Sequence, residues 1–325
     1  MTPLERALRE RIAADGPISV EAYMEACNSY YYATRDPLGT RGDFTTAPEI
    51  SQMFGELVGA ALADCWKRAG APADAIYAEL GPGRGTLAVD ALRVMRAAGF
   101  AGEVHLVETS PVLRTLQQQA VPGAHWHESV DDLPARPLLL VANEFLDALP
   151  IRQFIGELER RVIVAGDGLA FDRDGDIVET SPAREQAIGS VATCLAARGG
   201  VALFIDYGHE RTSAGDTLQA VRGHGFAPVL ADPGEQDLTS HVDFEAVARA
   251  ASDADALVTR VVGQGEWLSR LGIEARAQAL VRANPDRAQE VHAALHRLAH
   301  PGEMGRLFKV IALHSQAWPA PAGLA

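Results

Sequence analysis

The feature that most constrains the fold is a glycine-rich turn that follows an apolar run at residues 75–78. The turn contains Gly81, Pro82, Gly83 and Gly85, and a helix-like stretch begins directly after it. Glycine lets the backbone turn tightly and approach a ligand because it has no Cβ. The N-terminus of the following helix adds unpaired N–H groups. The order of strand, glycine turn and helix therefore predicts a nucleotide-cofactor site in an α/β fold.

Two carboxylates narrow the choice of cofactor. Glu79 precedes the first glycine by two residues, and the turn lacks the Gly-Lys-Ser/Thr ending of an ATP-binding loop. A carboxylate at this position can meet the cationic amino-acid end of S-adenosyl-L-methionine. Glu108 ends a second apolar run, where it can accept both ribose hydroxyls, but an NAD site would use an acid in the same way. The alternative is that both glutamates are solvated strand ends and the glycines only a loop.

Composition disfavours several classes of partner. The 325 residues carry a formal net charge of −14, which argues against nucleic acid because such binding depends on Lys and Arg. No apolar run approaches the roughly 20 residues that span a bilayer, so no membrane insertion is expected. The three cysteines lack paired metal-ligand spacing, and no metal site is predicted. The first residues lack the pattern of a signal or transit peptide, which predicts a cytoplasmic, bacterial protein.

Patterning divides the chain into two predicted parts. Residues 1–70 are expected to form an N-terminal helical cap with a cofactor-covering loop, and residues 71–325 the cofactor-binding domain. Strands and helices alternate in the second part, as in a parallel sheet. Short alternating pieces predict a β insertion at about 151–180, and a helical insertion is predicted at about 265–300.

The loop after the third strand of this alternation is predicted to face the reacting group, because ligands of open parallel sheets lie over the carboxyl ends of the strands. This loop begins at Asn143 and includes Glu144 and Asp147. The two acids are three residues apart, so in a helical turn they would share a face and could grip a guanidinium. The alternative is a helix N-terminus, where acids are also favoured.

Two further loops are predicted to close the site. Thr46 and Gln52 lie near the start of a helix, together with Asp43, although capping of that helix explains Thr46 equally well. His241 lies in a loop before another helix and is a candidate proton acceptor. Its polar neighbours could simply cap that helix.

Five ordered segments resemble the signature segments of one family. They are GDFTTAPEISQMFGE at 42–56, ELGPGRGTL at 79–87, NEFLDALP at 143–150, DYGH at 206–209 and DLTSHVDF at 237–244. The family is the MidA-like S-adenosylmethionine-dependent methyltransferases, which include a mitochondrial complex I assembly factor that methylates an arginine. The resemblance covers about residues 17 to 314, nearly the whole chain.

The resemblance implies a class I methyltransferase (Rossmann-like) α/β fold. Its sheet would be seven-stranded and mostly parallel with a last antiparallel strand, and the two insertions and the helical cap would be additions to it. Together with the reasoning from the residues, it assigns S-adenosyl-L-methionine binding to Thr46, Gln52, Glu79, Gly81, Pro82, Gly83, Gly85, Glu108 and Asn143. It assigns catalysis to Glu144, Asp147 and His241.

The predicted function is therefore S-adenosyl-L-methionine-dependent methyl transfer, with protein arginine nitrogen as the acceptor that the resemblance implies. For the acceptor protein the resemblance suggests a subunit of respiratory complex I. Two alternatives stay open: a small-molecule O- or N-methyltransferase on the same scaffold, and a non-catalytic assembly factor for a respiratory complex.

Overall fold

The structure, a computed structural model, describes residues 1–34 and 45–324. Its first elements are mostly helical: α1 (Pro3–Asp15), β1 (Ile18–Ser19), α2 (Val20–Thr34), α3 (Ala47–Ile50) and α4 (Gln52–Arg68). The Thr2 side chain caps α1 by accepting a hydrogen bond from Glu5 N, and Pro3 occupies the first helical position. In the described part of the chain, no helix has the length and apolar composition needed to cross a bilayer.

The remaining elements follow in three groups. Strands and helices first alternate in β2 (Ile76–Leu80), α5 (Thr86–Ala97), β3 (Val104–Val107), α6 (Pro111–Ala120), β4 (His125–His127) and β5 (Leu138–Asn143). Short strands then lead to a long helix and strand, namely β6 (Arg152–Ile155), β7 (Leu158–Glu159), β8 (Arg161–Ala165), β9 (Gly168–Phe171), β10 (Ile177–Thr180), α7 (Pro182–Arg198) and β11 (Gly200–His209). The last group is β12 (Gln219–Arg222), β13 (Gly225–Ala227), β14 (Asp237–Thr239), β15 (Val242–Asp243), α8 (Phe244–Asp253), β16 (Leu257–Val258), β17 (Val262–Gly263), α9 (Gln264–Arg270), α10 (Ile273–Ala283), α11 (Ala288–Ala299), α12 (Met304–Leu307) and β18 (Phe308–His314).

The central sheet has the strand order β16-β18-β11-β5-β2-β3-β4, with β15 beside β11 and β17 beside β18. Strands β11, β5, β2, β3 and β4 are parallel, and β18 runs antiparallel to β11. Every residue of β2 and β5 is buried, as expected for parallel strands that helices cover on both faces. The predicted class I methyltransferase sheet, mostly parallel with a last antiparallel strand, is confirmed; its main path has the predicted seven strands, and β15 and β17 add two short ones.

The register of the sheet brings three strand ends to one edge. Leu80 at the end of β2 pairs with Val107 of β3 and with Ala142 of β5. The glycine turn, Glu108 and Asn143 therefore follow their strands at the same level. Strand β2 lies between β3 and β5, where the chain reverses the direction in which it adds strands, and such a point is where open α/β sheets bind ligands.

The peripheral elements form small separate sheets and a helical group. The residues predicted as a β insertion contain β6 to β10, which form one three-stranded sheet, β10-β6-β7, and, together with β1, a second one, β1-β8-β9. Helices α9 to α11 occupy the predicted helical insertion. Helices α1 and α2 share a small core with Val162 of the β insertion. Helix α4, although within the predicted residues 1–70 cap, packs its apolar face in the main core with the sheet.

Helices α4 and α5 approach each other closely because α4 carries glycine at two positions one turn apart. A Cβ on Gly55 would lie 2.6 Å from Asp90 Cβ, and a Cβ on Gly59 would lie 2.4 Å from Ala91 O. Neither distance is sterically allowed, so the packing requires glycine. The contact matters for the site because α5 begins at the glycine turn and α4 follows the Thr46 segment.

We predict that Gly59→Ala lowers the free energy of unfolding by about 1–3 kcal/mol, because the new methyl group would force α4 away from α5. Gly189→Ala in α7 is the matched control, since a Cβ there meets no atom within 4 Å. The control should leave stability unchanged or raise it by about 0.4–1 kcal/mol. Urea denaturation of both variants checks this. Equal stability of the two variants would show that the helices do not depend on glycine.

Candidate active site

A cavity of about 750 Å³ lies at the carboxyl ends of β2, β3 and β5. Among the predicted site residues, eight line it: Thr46, Glu79, Gly81, Pro82, Gly83, Glu108, Asn143 and Glu144. They come from three strand ends and from the segment before α3, which the sheet and the α4–α5 contact bring together. The cavity is therefore the candidate active site.

Four predicted site residues lie elsewhere. Gln52 donates from Nε2 to Glu56 Oε1 at 3.1 Å, and Gly85 caps the N-terminus of α5 with a φ of +84°. Asp147 is buried behind the cavity wall, and His241 lines a separate cavity of about 120 Å³. Asp43 falls outside the described residues.

Asp147 and Glu144 do not share a face, contrary to the expectation from a helical turn. Glu144 has a φ of +50°, so the chain leaves β5 in a left-handed conformation and no helix begins there. The turn directs Asp147 toward Asp206, whose Oδ2 accepts from Asp147 N at 3.1 Å. Local spacing predicts shared faces only within regular structure, which is why the expectation fails here.

The glycine turn places bare backbone against the cavity. Gly81 and Gly83 have φ values of +59° and +55°, in the region that side chains disfavour. The ring of Phe145 packs against Gly81, where a Cβ would meet Phe145 Cδ2 at 3.0 Å. A side chain at either position would therefore strain the turn, and at Gly81 it would also meet this ring.

Glu79 is the most deeply buried acid of the cavity wall. Only 2% of the residue is exposed, and its Oε2 accepts a hydrogen bond from Tyr77 Oη at 2.6 Å. Burial raises the pKa of Glu79 to about 8, and the tyrosine bond offsets only part of this shift. A buried carboxyl of this kind gains most from a ligand that brings a positive charge.

Glu108 is held by backbone and by a glutamine that sequence reasoning missed. Its Oε1 accepts from Ser110 N at 2.7 Å, and its Oε2 accepts from Gln117 Nε2 at 3.1 Å. Gln117 Nε2 also donates to Gly83 O at 2.7 Å, so one buried amide joins the glycine turn to Glu108. Burial raises the pKa of Glu108. The sequence contains a signal for Gln117, because this polar residue lies four residues after Leu113 and therefore on the same, buried face of α6.

Glu144 is oriented by two hydrogen bonds on one carboxylate oxygen. Oε1 accepts from Ala47 N at 2.9 Å and from Asn143 Nδ2 at 3.1 Å, while no hydrogen bond joins Oε2 to another described residue. Burial raises the pKa of Glu144 to about 7, the Ala47 bond lowers it and the nearby Asp147 raises it. Glu144 is therefore a carboxyl poised to change its protonation state near neutral pH.

Helix α2, which belongs to the predicted helical cap, forms part of the cavity wall, although none of its residues is among the predicted site residues. Asn28 Nδ2 donates to Ala148 O at 2.9 Å, and Ser110 Oγ donates to Tyr32 O at 2.6 Å. Glu21 and Glu25 line the cavity from the same helix. These contacts lie far apart in the chain, so periodicity alone could not reveal them.

The cavity fits S-adenosyl-L-methionine. Its volume is within the range of small-molecule sites, and its wall offers bare glycine backbone next to the carboxyl groups of Glu79, Glu108 and Glu144. Asn143 Oδ1 is a buried acceptor without a hydrogen-bond partner in the described part of the chain. Unpaired buried acceptors are costly, so a ligand that donates to this atom would stabilise the site.

Comparisons with known proteins agree with this cofactor. A family model of S-adenosyl-L-methionine-dependent methyltransferases matches residues 57–168 and 160–262. Protein arginine methyltransferase NDUFAF7, mitochondrial, of Danio rerio is 33% identical to the chain and covers 95% of it and 86% of its own length. The protein of the same name from Homo sapiens is 33% identical and covers 96% of the chain and 83% of its own length.

Solved structures show the same fold. A Burkholderia thailandensis protein crystallised with S-adenosyl-homocysteine superposes with a TM-score of 0.87 at 26% identity, covering 99% of this chain and 94% of that one. A native crystal structure of a protein from the same organism has a TM-score of 0.81 at 28% identity, covering 99% and 92%.

We predict that Glu108→Ala weakens S-adenosyl-L-methionine binding at least tenfold. The variant loses hydrogen bonds to a charged acceptor, at a cost of about 1.5–3 kcal/mol. Glu128→Ala, on an exposed residue of the same region, is the control and should bind normally. Calorimetry gives both dissociation constants. An unchanged constant in Glu108→Ala would remove this residue from the cofactor site.

We predict that S-adenosyl-L-methionine binds more tightly as the pH rises toward 8. In the free protein the pKa of Glu79 is about 8, so at lower pH this carboxyl is mostly protonated. A cationic amino group beside it favours the ionised form, and binding must therefore release a proton. Affinity should rise by up to about tenfold per pH unit between pH 6 and 8 and then level off.

Calorimetry in two buffers with different ionisation enthalpies counts the released protons. Near pH 7 the wild type should release close to one proton from this site, and Glu79→Gln should release correspondingly fewer. Equal proton release by the two proteins would contradict the assignment of Glu79 to the cationic end of the cofactor.

Proposed function

Since the chain belongs to the family of S-adenosyl-L-methionine-dependent methyltransferases, we propose that its methyl acceptor is an arginine side chain of a protein. The chain is an enzyme that uses this cofactor. The relatives described above are named protein arginine methyltransferases, which supports an arginine acceptor. The observation that carries the proposal is the partly buried carboxyl of Glu144, which lines the cavity with one oxygen held by Ala47 N and Asn143 Nδ2.

The charge of the cavity wall favours a cationic acceptor. Its described lining residues include the carboxylates of Glu21, Glu25, Glu49, Glu79, Glu108 and Glu144, and the cation of Arg84. Arg84 lies 3.8 Å from Glu49, so its charge is partly balanced already. An incoming guanidinium would be attracted by the ionised acids and would favour ionisation of Glu144, whose pKa is raised to about 7, whereas a neutral hydroxyl acceptor would do neither.

We assign the cofactor to the end of the cavity formed by the glycine turn. Glu79 would hold its cationic amino group, Glu108 its ribose hydroxyls, and the Gly81 and Gly83 backbone would pack against it. Thr46, Pro82 and Asn143 would complete this end. When bound, S-adenosyl-L-methionine supplies an electrophilic methyl group on a cationic sulfur.

Glu144 would bind and activate the acceptor. A guanidinium is cationic at any physiological pH and is a poor nucleophile until its charge is localised and a proton can leave. Glu144 Oε2 can accept from the guanidinium N–H groups, because the bonds from Ala47 and Asn143 fix Oε1. A carboxylate whose pKa lies near 7 can draw positive charge from the guanidinium and then accept the proton that the methylated nitrogen loses.

Catalytic roles for Asp147 and His241, a complex I subunit as acceptor and a bacterial cytoplasmic location stay predictions. Asp147 and His241 could act only through the wall of the cavity. A complex I subunit as acceptor is suggested by the resemblance alone. The named relatives are mitochondrial, and their names do not support the predicted bacterial cytoplasm.

Methyl transfer to an extract of cells that lack the gene tests the proposal. Tritiated S-adenosyl-L-methionine should label a protein band, and hydrolysis of that band should release methylated arginine. Label in a small molecule instead would favour the alternative acceptor on the same scaffold. No label in any fraction would favour the non-catalytic assembly factor.

We predict that Glu144→Gln lowers methyl transfer by a factor of about 10² while cofactor affinity changes little. The amide keeps the shape of the side chain but cannot draw charge or accept a proton. Glu157→Gln, on an exposed turn between β6 and β7, is the control and should transfer normally. Single-turnover transfer and cofactor calorimetry are measured in parallel. Full activity in Glu144→Gln would contradict the proposed arginine mechanism.

A further inference from the structure

Arg184 of α7 donates hydrogen bonds to the backbone of the segment that follows Glu144. The residue is only 6% exposed, so its guanidinium is buried. Nε donates to Leu146 O at 2.6 Å, and Nη2 donates to Asp147 O at 3.1 Å. Nη1 donates to His241 O at 2.8 Å, and Nη2 also donates to Ser240 Oγ at 2.7 Å. One side chain therefore joins the segment after β5 to the segment after β14.

Asp206 of β11 holds the same segment by its amide groups. Its Oδ2 accepts from Leu146 N at 2.9 Å and from Asp147 N at 3.1 Å. Leu146 and Asp147 thus have N–H groups bonded to a buried carboxyl and C=O groups bonded to a buried guanidinium. A backbone segment whose N–H and C=O groups are all hydrogen-bonded to charged side chains has few alternative conformations.

The segment held in this way begins at Glu144. The φ of +50° at Glu144 is uncommon for a residue with a side chain, and such a conformation persists only where the surroundings impose it. On one side, Glu144 N donates to Ile205 O at 2.9 Å. On the other side, two residues along the chain, the bonds to Arg184 and Asp206 begin.

We infer that Arg184 is a positioning residue for methyl transfer, because it fixes the backbone after Glu144 and so keeps the Glu144 carboxylate aimed into the cavity. This inference rests on the acceptor-binding role proposed for Glu144. Arg184 itself reaches neither the cofactor end nor Glu144, so its effect on the reaction is indirect.

Arginine suits this position better than lysine, and α7 contains a matched control. A guanidinium presents five donors in a rigid planar fork, whereas an ammonium is a single point charge. Arg184→Lys therefore keeps the positive charge beside Asp147 but loses most of the hydrogen bonds. Arg198 donates from Nη1 to Leu133 O at 3.0 Å and to Pro134 O at 3.1 Å, before β5 and away from the cavity.

The first test compares Arg184→Lys with Arg198→Lys. The rate is the transfer of tritiated methyl from S-adenosyl-L-methionine to protein in an extract of cells that lack the gene. Arg184→Lys should lower this rate about tenfold or more and leave the cofactor dissociation constant within about twofold. Arg198→Lys should change neither by more than about twofold. Parallel loss of cofactor affinity in Arg184→Lys, or an equal loss of rate in Arg198→Lys, would overturn the inference.

The second test asks whether Arg184 acts through Glu144. In the Glu144→Gln background, Arg184→Lys should lower the remaining rate by less than about threefold, whereas independent effects would multiply. Multiplied losses would overturn the positioning role while the acceptor role of Glu144 stands. Full activity of Glu144→Gln alone would overturn both, and the two failures are therefore distinguishable.

Ser240→Ala provides a milder test of the same inference in case Arg184→Lys does not fold. This variant removes a single acceptor of Arg184 and leaves the guanidinium in place. The rate should fall several-fold in the wild-type background and hardly at all in the Glu144→Gln background. An unchanged rate in the wild-type background would overturn the inference.

Discussion

The site depends on three carboxyls that are wholly or partly buried at one cavity. Glu79, Glu108 and Glu144 come from the ends of three neighbouring parallel strands, and burial raises the pKa of each. Removing carboxylates from water is costly unless a cation or hydrogen-bond donors replace the water. Ligands that bring positive charge or hydroxyl donors supply that replacement. The site therefore favours such ligands over neutral ones, because they offset the cost of burying the carboxylates.

The rest of the structure keeps these carboxyls in place. The sheet register puts the strand ends at one level, and the close contact of α4 with α5 fixes the helix that begins at the glycine turn. Gln117 joins that turn to Glu108, and Ala47 N holds one oxygen of Glu144. Glu108 and Glu144 are thus each held by a residue of another element, whereas Glu79 is held by Tyr77 of its own strand.

The sequence predicted the parts of the site that follow from local order. A strand, a glycine turn and an acid at the next strand end are consecutive features, so the sequence alone predicts Glu79, Gly81, Gly83 and Glu108 as site residues, and all four line the cavity. The expectation that Asp147 shares a face with Glu144 is wrong, because it requires a regular helical turn and Glu144 adopts a φ of +50°.

Other parts were beyond reach because they depend on contacts between distant segments. The amide of Gln117 and the wall formed by α2 appear only when α6 and α2 are packed against the sheet. His241 belongs to one of the five family segments, yet it lines the smaller cavity rather than the candidate active site. Hydrophobic periodicity and residue spacing predict which face of a helix or strand a residue lies on. They do not predict which of two cavities that face will line.

Carbon-13 titration of the glutamate carboxyls tests the central claim most directly, with Glu79→Gln and Glu144→Gln used to assign the resonances. In the free protein, the account predicts that Glu79 titrates with a pKa of about 8 and Glu144 with a pKa of about 7. S-adenosyl-L-methionine should lower the pKa of Glu79, because its cationic amino group favours the carboxylate. Titration of both residues near the ordinary glutamate value of about 4.3, with no change on cofactor binding, would contradict the account.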